Sequence, residues 1–264
     1  MKITISPWAL AFLFLSIPVF LLSACDNSGY GIADPYEISG TVNTGAPADV
    51  PIKGTVHVRT FSRSDFYEGE IDPATGAYSI SIWKHDRPYL VWAKIDDGRT
   101  LYSYCAGARN PITDSDDPKP QTININPITD LIMSLCYHED TAERFQVNPD
   151  AGIPSALDFD NFQDDIETLL ADTFEDLCFT EGFNILHEDW NDKIDSLLTV
   201  LSVSFEMDPV TGPARGVVLK GGEEVLYEYD FDNDSRVNSD DLPKPDEVAE
   251  IILTLLGITP MACL

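Results

Sequence analysis

Basic residues are scarce in this sequence. Its 264 residues include 16 lysines and arginines against 45 aspartates and glutamates, so the formal net charge at pH 7 is -29. Binding to nucleic acid draws much of its free energy from the counterions released when clustered Lys and Arg neutralise phosphates. A chain this acidic repels a polyanion instead. The composition therefore excludes nucleic acid as a partner.

The sequence also lacks the local motifs of several enzyme classes. It contains no GxSxG elbow, no P-loop and no GxGxxG. Residues 138–140 and 187–189 both read His-Glu-Asp, but they lack the HExxH spacing of zinc proteases, and we interpret them as surface residues at helix ends. We predict a protein that is not an enzyme. A hydrolase site assembled from residues distant in the sequence is left open.

Cysteine is infrequent, and none of the five cysteines has CxxC spacing, so the sequence does not support a zinc or redox motif. After Cys25, an even number remains: Cys105, Cys136, Cys178 and Cys263. In an exported chain these permit two disulfides with three connectivities. The similar Leu-Cys-aromatic contexts of Cys136 and Cys178 favour pairing these two, and buried free thiols are the alternative.

The longest apolar run lies at the N-terminus. Residues 1–24 carry one charge, Lys2, and predict an export signal. Residues 22–25, Leu-Ser-Ala-Cys, resemble the bacterial lipobox, whose cysteine is diacylated and becomes the new N-terminus. The resemblance implies lipidation of Cys25, a tether at residues 25–35, and anchoring in the cell envelope, at the periplasmic face of either membrane or at the cell surface. An uncleaved membrane helix is the alternative.

Short segments rich in β-branched and aromatic residues follow the tether. They predict strands at residues 37–42, 54–61, 77–83, 88–95, 100–104 and 121–125. Turn residues separate them at residues 72–76 and 96–98. Short strands at this spacing, separated by turn residues, are typical of an antiparallel β-sandwich, which we place at residues 36–125.

Three segments of this region resemble the carboxypeptidase regulatory-like (transthyretin-like) sandwich found in bacterial surface proteins. They are residues 38–42, residues 51–58, and the turn and strand at residues 72–80. The resemblance implies a non-catalytic scaffold or binding module. Several aromatic residues on the strands could instead stack on a sugar, but sandwich strands bury such residues, and we predict core packing. These residues are Tyr78, Trp83, Tyr89, Trp92, Tyr102 and Tyr104.

Helical periodicity begins after Asn126-Pro127, which forms a plausible N-terminal cap. Apolar spacing predicts helices at residues 128–136, 162–177, 190–201 and 246–256, the last ending at Gly257. Strand-like segments return at residues 202–207, 216–220 and 223–229. We therefore expect an α+β multidomain protein in which residues 126–264 form a second, helix-rich domain.

An alternating run of carboxylates at residues 230–241 resembles an EF-hand or dockerin-type calcium loop. Calcium takes six to eight oxygen ligands, which such a run can supply. The resemblance implies that the ligands are Asp230, Asp232, Asp234, the backbone carbonyl of Arg236, Asn238 and Asp241. Ser235 departs from the pattern because Gly usually makes the sharp turn there, and a non-Gly residue costs on the order of 1 kcal/mol. An ordinary acidic turn is the alternative.

Together these observations predict a lipid-anchored, non-catalytic protein of the cell envelope that binds calcium and acts as a surface scaffold or binding module. Its expected partners are the membrane, through the anchor, and a protein or polysaccharide ligand. The alternative is a carbohydrate-associated module, either a dockerin-like docking element or a sugar binder.

Overall fold

The computed structural model describes ten segments of the chain, all within the unit Pro35–Leu264. They are residues 36–46, 50–60, 66–82, 88–105, 121–147, 152–154, 156–179, 192–207, 214–237 and 242–258. The export signal, the tether and Cys25 lie outside the described residues, as do Asn238 and Asp241. No helix in these segments is long and apolar enough to cross a membrane.

Seven strands precede the first described helix. They are β1 (Tyr36–Thr41), β2 (Gly54–Thr60), β3 (Phe66–Glu70), β4 (Ala77–Ile82), β5 (Tyr89–Ile95), β6 (Thr100–Cys105) and β7 (Gln121–Thr122). One antiparallel sheet has the order β3-β2-β5-β6. A second sheet has the order β4-β1-β7, in which β1 pairs antiparallel with β4 and parallel with β7.

The two sheets contribute side chains to one apolar cluster. Strand β4 alternates between exposed and buried positions, so that Tyr78, Ile80 and Ile82 point inward. They meet buried residues from β1, β2 and β5, among them Ile38 and Val56. Strand β4 falls within the segment 77–83 that its β-branched and aromatic residues predicted.

Strand β3 was not predicted; its sequence Phe-Tyr-Glu-Gly-Glu is short and contains no β-branched residue. It pairs with β2 through five residues. A side chain at Gly69 would place its Cβ 2.7 Å from Cγ1 of Ile80, so glycine lets β4 pack closely on this strand. The strand is therefore specified by its pairing with β2 and its packing on β4.

The C-terminal half combines helices with a third sheet. The helices are α1 (Pro127–Tyr137), α2 (Thr141–Val147), α3 (Ala156–Leu169), α4 (Ala171–Asp176), α5 (Asp192–Val200) and α6 (Pro245–Leu256). The strands are β8 (Leu201–Met207), β9 (Ala214–Gly221), β10 (Glu224–Asp230) and β11 (Ser235–Arg236). They form an antiparallel sheet of order β11-β10-β9-β8, and the fold is mixed α+β.

Helix α1 begins as predicted. The Asn126 side chain accepts the backbone N–H groups of Ile128 and Thr129 at 2.8 and 3.1 Å. The Thr129 hydroxyl in turn accepts the N–H of Asn126 at 2.9 Å, which completes a capping box. The helix ends at His138, whose φ of 54° is left-handed. Two helices differ from expectation, since α2 was not predicted and residues 162–177 are divided between α3 and α4 at Leu170.

The sheet that contains β5 and β6 is buried on both faces. Tyr89, Val91 and Ala93 of β5 belong to the cluster between the first two sheets. Leu90 and Tyr104 belong instead to a second cluster, formed with α1, α3 and the third sheet. The outer face of this sheet therefore packs against the C-terminal half of the chain rather than facing water.

An aromatic stack continues this covered face. Trp92 stacks on His57 with ring centroids 5.2 Å apart and on Tyr102 at 6.4 Å. Tyr102 stacks on Phe145 of α2 at 5.4 Å. Short α2 is thus held by a side chain that inserts against the sheet, a contact that helical periodicity does not reveal.

The predicted pairing of Cys136 with Cys178 is wrong. Cys136 is a free thiol, whereas Cys178 is disulfide-bonded, so its partner is a cysteine whose side chain lies outside the described residues. Burial raises the pKa of the Cys136 thiol far above its ordinary value, so this thiol is inert at neutral pH. Similar local sequence was a poor guide because pairing depends on the separation of the two residues in space.

Candidate functional site

The described part of the acidic run, residues 230–237, is a β-hairpin. Strand β10 ends at Asp230, four residues make the turn, and β11 pairs back so that Ser235 lies opposite Asp230. The Val237 N–H donates to the carbonyl of Glu228 at 3.0 Å, and the Phe231 N–H donates to the carbonyl of Arg215 at 2.8 Å. The hairpin is thereby fixed to the third sheet.

Asp230 organises the turn itself. Its Oδ1 accepts the backbone N–H groups of Asp232 and Asn233 at 2.9 and 3.2 Å. The Asn233 side-chain amide donates to Oδ2 of the same carboxylate. The Asn233 side chain, and after it the backbone donors, hold the pKa of Asp230 below its ordinary value. Asp230 is therefore an ionised acceptor within its own turn.

Asp234 occupies the left-handed position of the turn, with φ of 48°. Ser235 was expected to carry this strain, but the positive φ falls one residue earlier, on an aspartate, a residue type that tolerates the left-handed region better than most. Oδ1 of Asp234 accepts the Tyr229 hydroxyl at 2.8 Å and lies 3.1 Å from Nε2 of His138. Burial, followed by the hydrogen bond to Asp234, raises the pKa of Tyr229, which keeps this donor protonated.

Asp232 points toward the neighbouring strand. Its Oδ2 accepts Nε of Arg215 at 3.0 Å, and both side chains are more than half exposed to solvent. An ion pair in this setting contributes about 0–1 kcal/mol to stability. Next in the loop, the Arg236 guanidinium lies over the ring of Tyr227, 5.0 Å from its centroid. The ion pair therefore does not hold Asp232 strongly, and the contact with Tyr227 does not hold Arg236 strongly.

The three described carboxylates thus contact different parts of the protein: Asp230 its own turn, Asp232 Arg215, and Asp234 both Tyr229 and His138. Carboxylate oxygens are the hard donors that calcium prefers, so the donor types fit this ion. Their arrangement is not that of a formed cage: within the described segments, no three His, Cys, Asp or Glu side chains are grouped so that they could hold a metal ion. The predicted ligands Asn238 and Asp241 lie outside those segments.

Sequence reasoning missed the partners of the turn. His138 lies at the end of α1, as expected, but its side chain is 38% exposed and reaches the carboxylate of Asp234, far away in the sequence. Arg215 and Tyr229 are brought to the turn by β9 and β10. No local motif could have identified these contacts, because each depends on how strands and helices pack.

The aromatic strand residues form no sugar platform in the described part of the chain. Tyr78, Tyr89, Tyr102 and Tyr104 are all buried, as core packing predicts, and Trp92 is partly buried within the stack. Trp83 lies outside the described residues. The aromatic evidence for the sugar-binding alternative is therefore weak.

The half-buried carboxyl of Asp130 has a strongly raised pKa. Asp130 of α1 accepts the Tyr102 N–H at 3.0 Å. Desolvation, reinforced by nearby Asp140, raises the pKa of Asp130 to about 8. The hydrogen bond joins α1 to β6, so this carboxyl has a structural role in the fold.

Family models, curated proteins and solved structures were compared with this chain, and none of them matches it.

Proposed function

We propose that this chain is a lipid-anchored, non-catalytic protein of the cell envelope that acts as a scaffold or binding module and binds calcium through residues 230–241. The observation that carries the calcium proposal is the turn that gathers Asp230, Asp232 and Asp234 into five consecutive residues of one hairpin. Two of these carboxylates are 60% and 69% exposed, so an ion can reach them.

Calcium binding requires the carboxylates to exchange their present partners for the ion. Two of those partners lie at the surface, since Arg215 is 51% exposed and His138 is 38% exposed, whereas the Tyr229 partner of Asp234 is buried. The exchange would also relieve repulsion among like charges in a chain of net charge -29. Because the site must rearrange, we expect affinity in the weak extracellular range, about 10⁻⁴ to 10⁻³ M.

The binding-module proposal includes a β-sandwich at residues 36–125, followed by a helix-rich region from residue 126. The shared apolar cluster of the first two sheets supports the sandwich. The outer face of the β3-β2-β5-β6 sheet is buried against the C-terminal half of the chain. This packing suits a rigid scaffold, because the apolar face of each region is covered by the other.

Titration calorimetry tests the calcium proposal. Asp230→Asn keeps an oxygen that accepts the N–H groups of Asp232 and Asn233, but it removes the charge required at the first ligand position. We expect one calcium per chain in the wild type, abolished in Asp230→Asn and retained in the control Asp164→Asn, an exposed aspartate of α3. Absence of binding heat for the wild type at millimolar calcium would refute the proposal.

The lipid anchor is tested by fractionation. Cys25→Ser removes the thiol that the lipobox resemblance assigns to the acyl chains, so the full-length chain should move from the membrane fraction to the soluble or unprocessed form. A variant chain that stays processed and membrane-bound would contradict lipidation at this residue.

A further inference from the structure

A groove beside the hairpin has a volume of about 560 Å³ and is open to solvent. Its described walls are β10 with the turn before it, Val237, Leu242 with Pro243, and α6. Of the described carboxylates in the calcium proposal, Asp230, Asp232 and Asp234, none lines it.

An apolar patch, which we call the floor, lies within a lining that exposes more polar than apolar surface. Val225, Leu242 and Ile251 contribute half-buried side chains from its three walls. The apolar surface continues along α6 to Leu255, which is 44% exposed. Ile251 and Leu255 lie one helical turn apart, and both would be 3.5 Å from a Cβ placed at Gly221, so they form one strip.

Four glutamates ring this floor: Glu223, Glu224, Glu228 and Glu247. No lysine or arginine is among the described residues that line the groove. The glutamates are too dispersed to hold one metal ion, because no three acidic or other metal-binding side chains of the described segments are grouped in that way. Charge complementarity therefore favours a ligand that carries several separated positive charges.

We propose that this groove binds a basic amphipathic peptide segment of a partner protein. Its apolar residues would cover Val225, Ile251 and Leu255, while its lysines or arginines would face the glutamates. A small inorganic cation would leave the floor exposed, and a polyanion would be repelled. The overall negative charge would also accelerate the encounter with such a segment. The inference goes beyond the calcium proposal and does not require calcium.

A leucine–lysine peptide of about 14 residues, or four helical turns, is a suitable probe. Its binding to the full-length chain is measured by fluorescence anisotropy at about 0.15 M ionic strength. The triple variant Glu223→Gln, Glu224→Gln and Glu228→Gln should weaken binding about tenfold or more. Glu247 is left unchanged because its side chain accepts the Lys244 N–H at the start of α6.

A matched variant separates the effect of the groove's glutamates from the effect of the protein's overall negative charge. Glu70→Gln, Glu175→Gln and Glu206→Gln change the net charge by the same amount at exposed positions outside the groove. This control should retain affinity within about twofold, because these glutamates do not line the groove and exposed charges are screened by salt. Equal weakening by the two triple variants would overturn the proposal.

The apolar half of the proposal has its own control. Leu255→Ser should weaken the leucine–lysine peptide several-fold, and a serine–lysine peptide of equal charge should bind more weakly than the leucine–lysine peptide. Equal affinity for the two peptides, equally tight binding of spermine, or displacement of the peptide by millimolar calcium alone would each contradict a peptide groove. These outcomes leave the calorimetric test of residues 230–241 unaffected.

Discussion

Two turns of this molecule begin with the same hydrogen bonds. Oδ1 of Asp72 accepts the N–H groups two and three residues later, at 2.8 and 3.3 Å. Oδ1 of Asp230 accepts the equivalent groups at 2.9 and 3.2 Å. Each turn then has a left-handed residue, which is Gly76 in the first and Asp234 in the second.

The difference shows which carboxylates a turn needs. A single aspartate at the first position suffices to build the Asp72 turn, so Asp230 by itself is explained by local structure. The second turn has additional carboxylates at Asp232 and Asp234, the latter at a position where glycine is least strained. These surplus carboxylates, rather than the first one, distinguish a candidate ion site from an ordinary acidic turn.

The largest effect is expected at the glycine of the first turn. In Gly76→Ala the new Cβ would lie 2.3 Å from the carbonyl oxygen of Val42, at a φ of 71°. Clash and strain together should destabilise the fold by about 2–4 kcal/mol, measured by urea unfolding. Gly98→Ala, with φ of 96° and nothing within 4 Å, should cost about 1 kcal/mol. Similar costs for both variants would show that the close approach to Val42 is unimportant.

A half-buried aspartate sharpens the comparison, because Asp130 also accepts a backbone N–H but its carboxylate is desolvated. Its folded pKa of about 8 lies above the value of about 3.9 in an unfolded chain. Protonated Asp130 therefore stabilises the fold fully below about pH 4, and this contribution is lost as the pH rises through about 8.

Asp130→Asn keeps an acceptor for the Tyr102 N–H without the buried charge. The variant should be more stable than the wild type by about 2 kcal/mol at pH 9, and this advantage should shrink toward pH 4. Urea unfolding across this pH range measures it, with Asp164→Asn as the exposed control. A constant difference between Asp130→Asn and wild type would refute the raised pKa.

Much of the secondary structure was predictable because its signals are local. The Asn126 cap, the alternation of β4 and the termination of α6 at Gly257 each depend on a few neighbouring residues. Strand β3 and helix α2 were missed because Gly69 and Phe145 act through distant contacts. The covered outer face of β5 was also not evident, since periodicity does not identify which surface a strand packs against.

The candidate site was predictable only in part. The sequence identifies Asp230, Asp232 and Asp234 as alternating acidic positions, and the structure places them on one hairpin turn. The sequence does not identify His138 or Arg215 as partners of this turn, because these residues reach it through tertiary packing. The groove was missed for the same reason, since its glutamates come from both β10 and α6.

The smallest effects are expected from neutralising the first residue of each turn. Asp72→Asn and Asp230→Asn both preserve an oxygen that accepts the turn N–H groups. Without calcium, Asp72→Asn should leave the free energy of unfolding nearly unchanged, because the site is exposed and the turn hydrogen bonds are kept. Asp230→Asn should be slightly less stable, because the Asn233 side-chain amide loses its charged acceptor. A clear loss of stability in thermal or urea unfolding for Asp72→Asn would mean that the charge itself stabilises that turn.

The same pair of variants, melted with and without calcium, tests the central claim most directly. At about ten times the dissociation constant, calcium should stabilise the wild type and Asp72→Asn by about 1.4 kcal/mol, which corresponds to about 3–6 °C in Tm. Asp230→Asn should show no calcium-dependent shift. A shift that is absent from all three proteins, or equal in all three, would contradict calcium binding at residues 230–241.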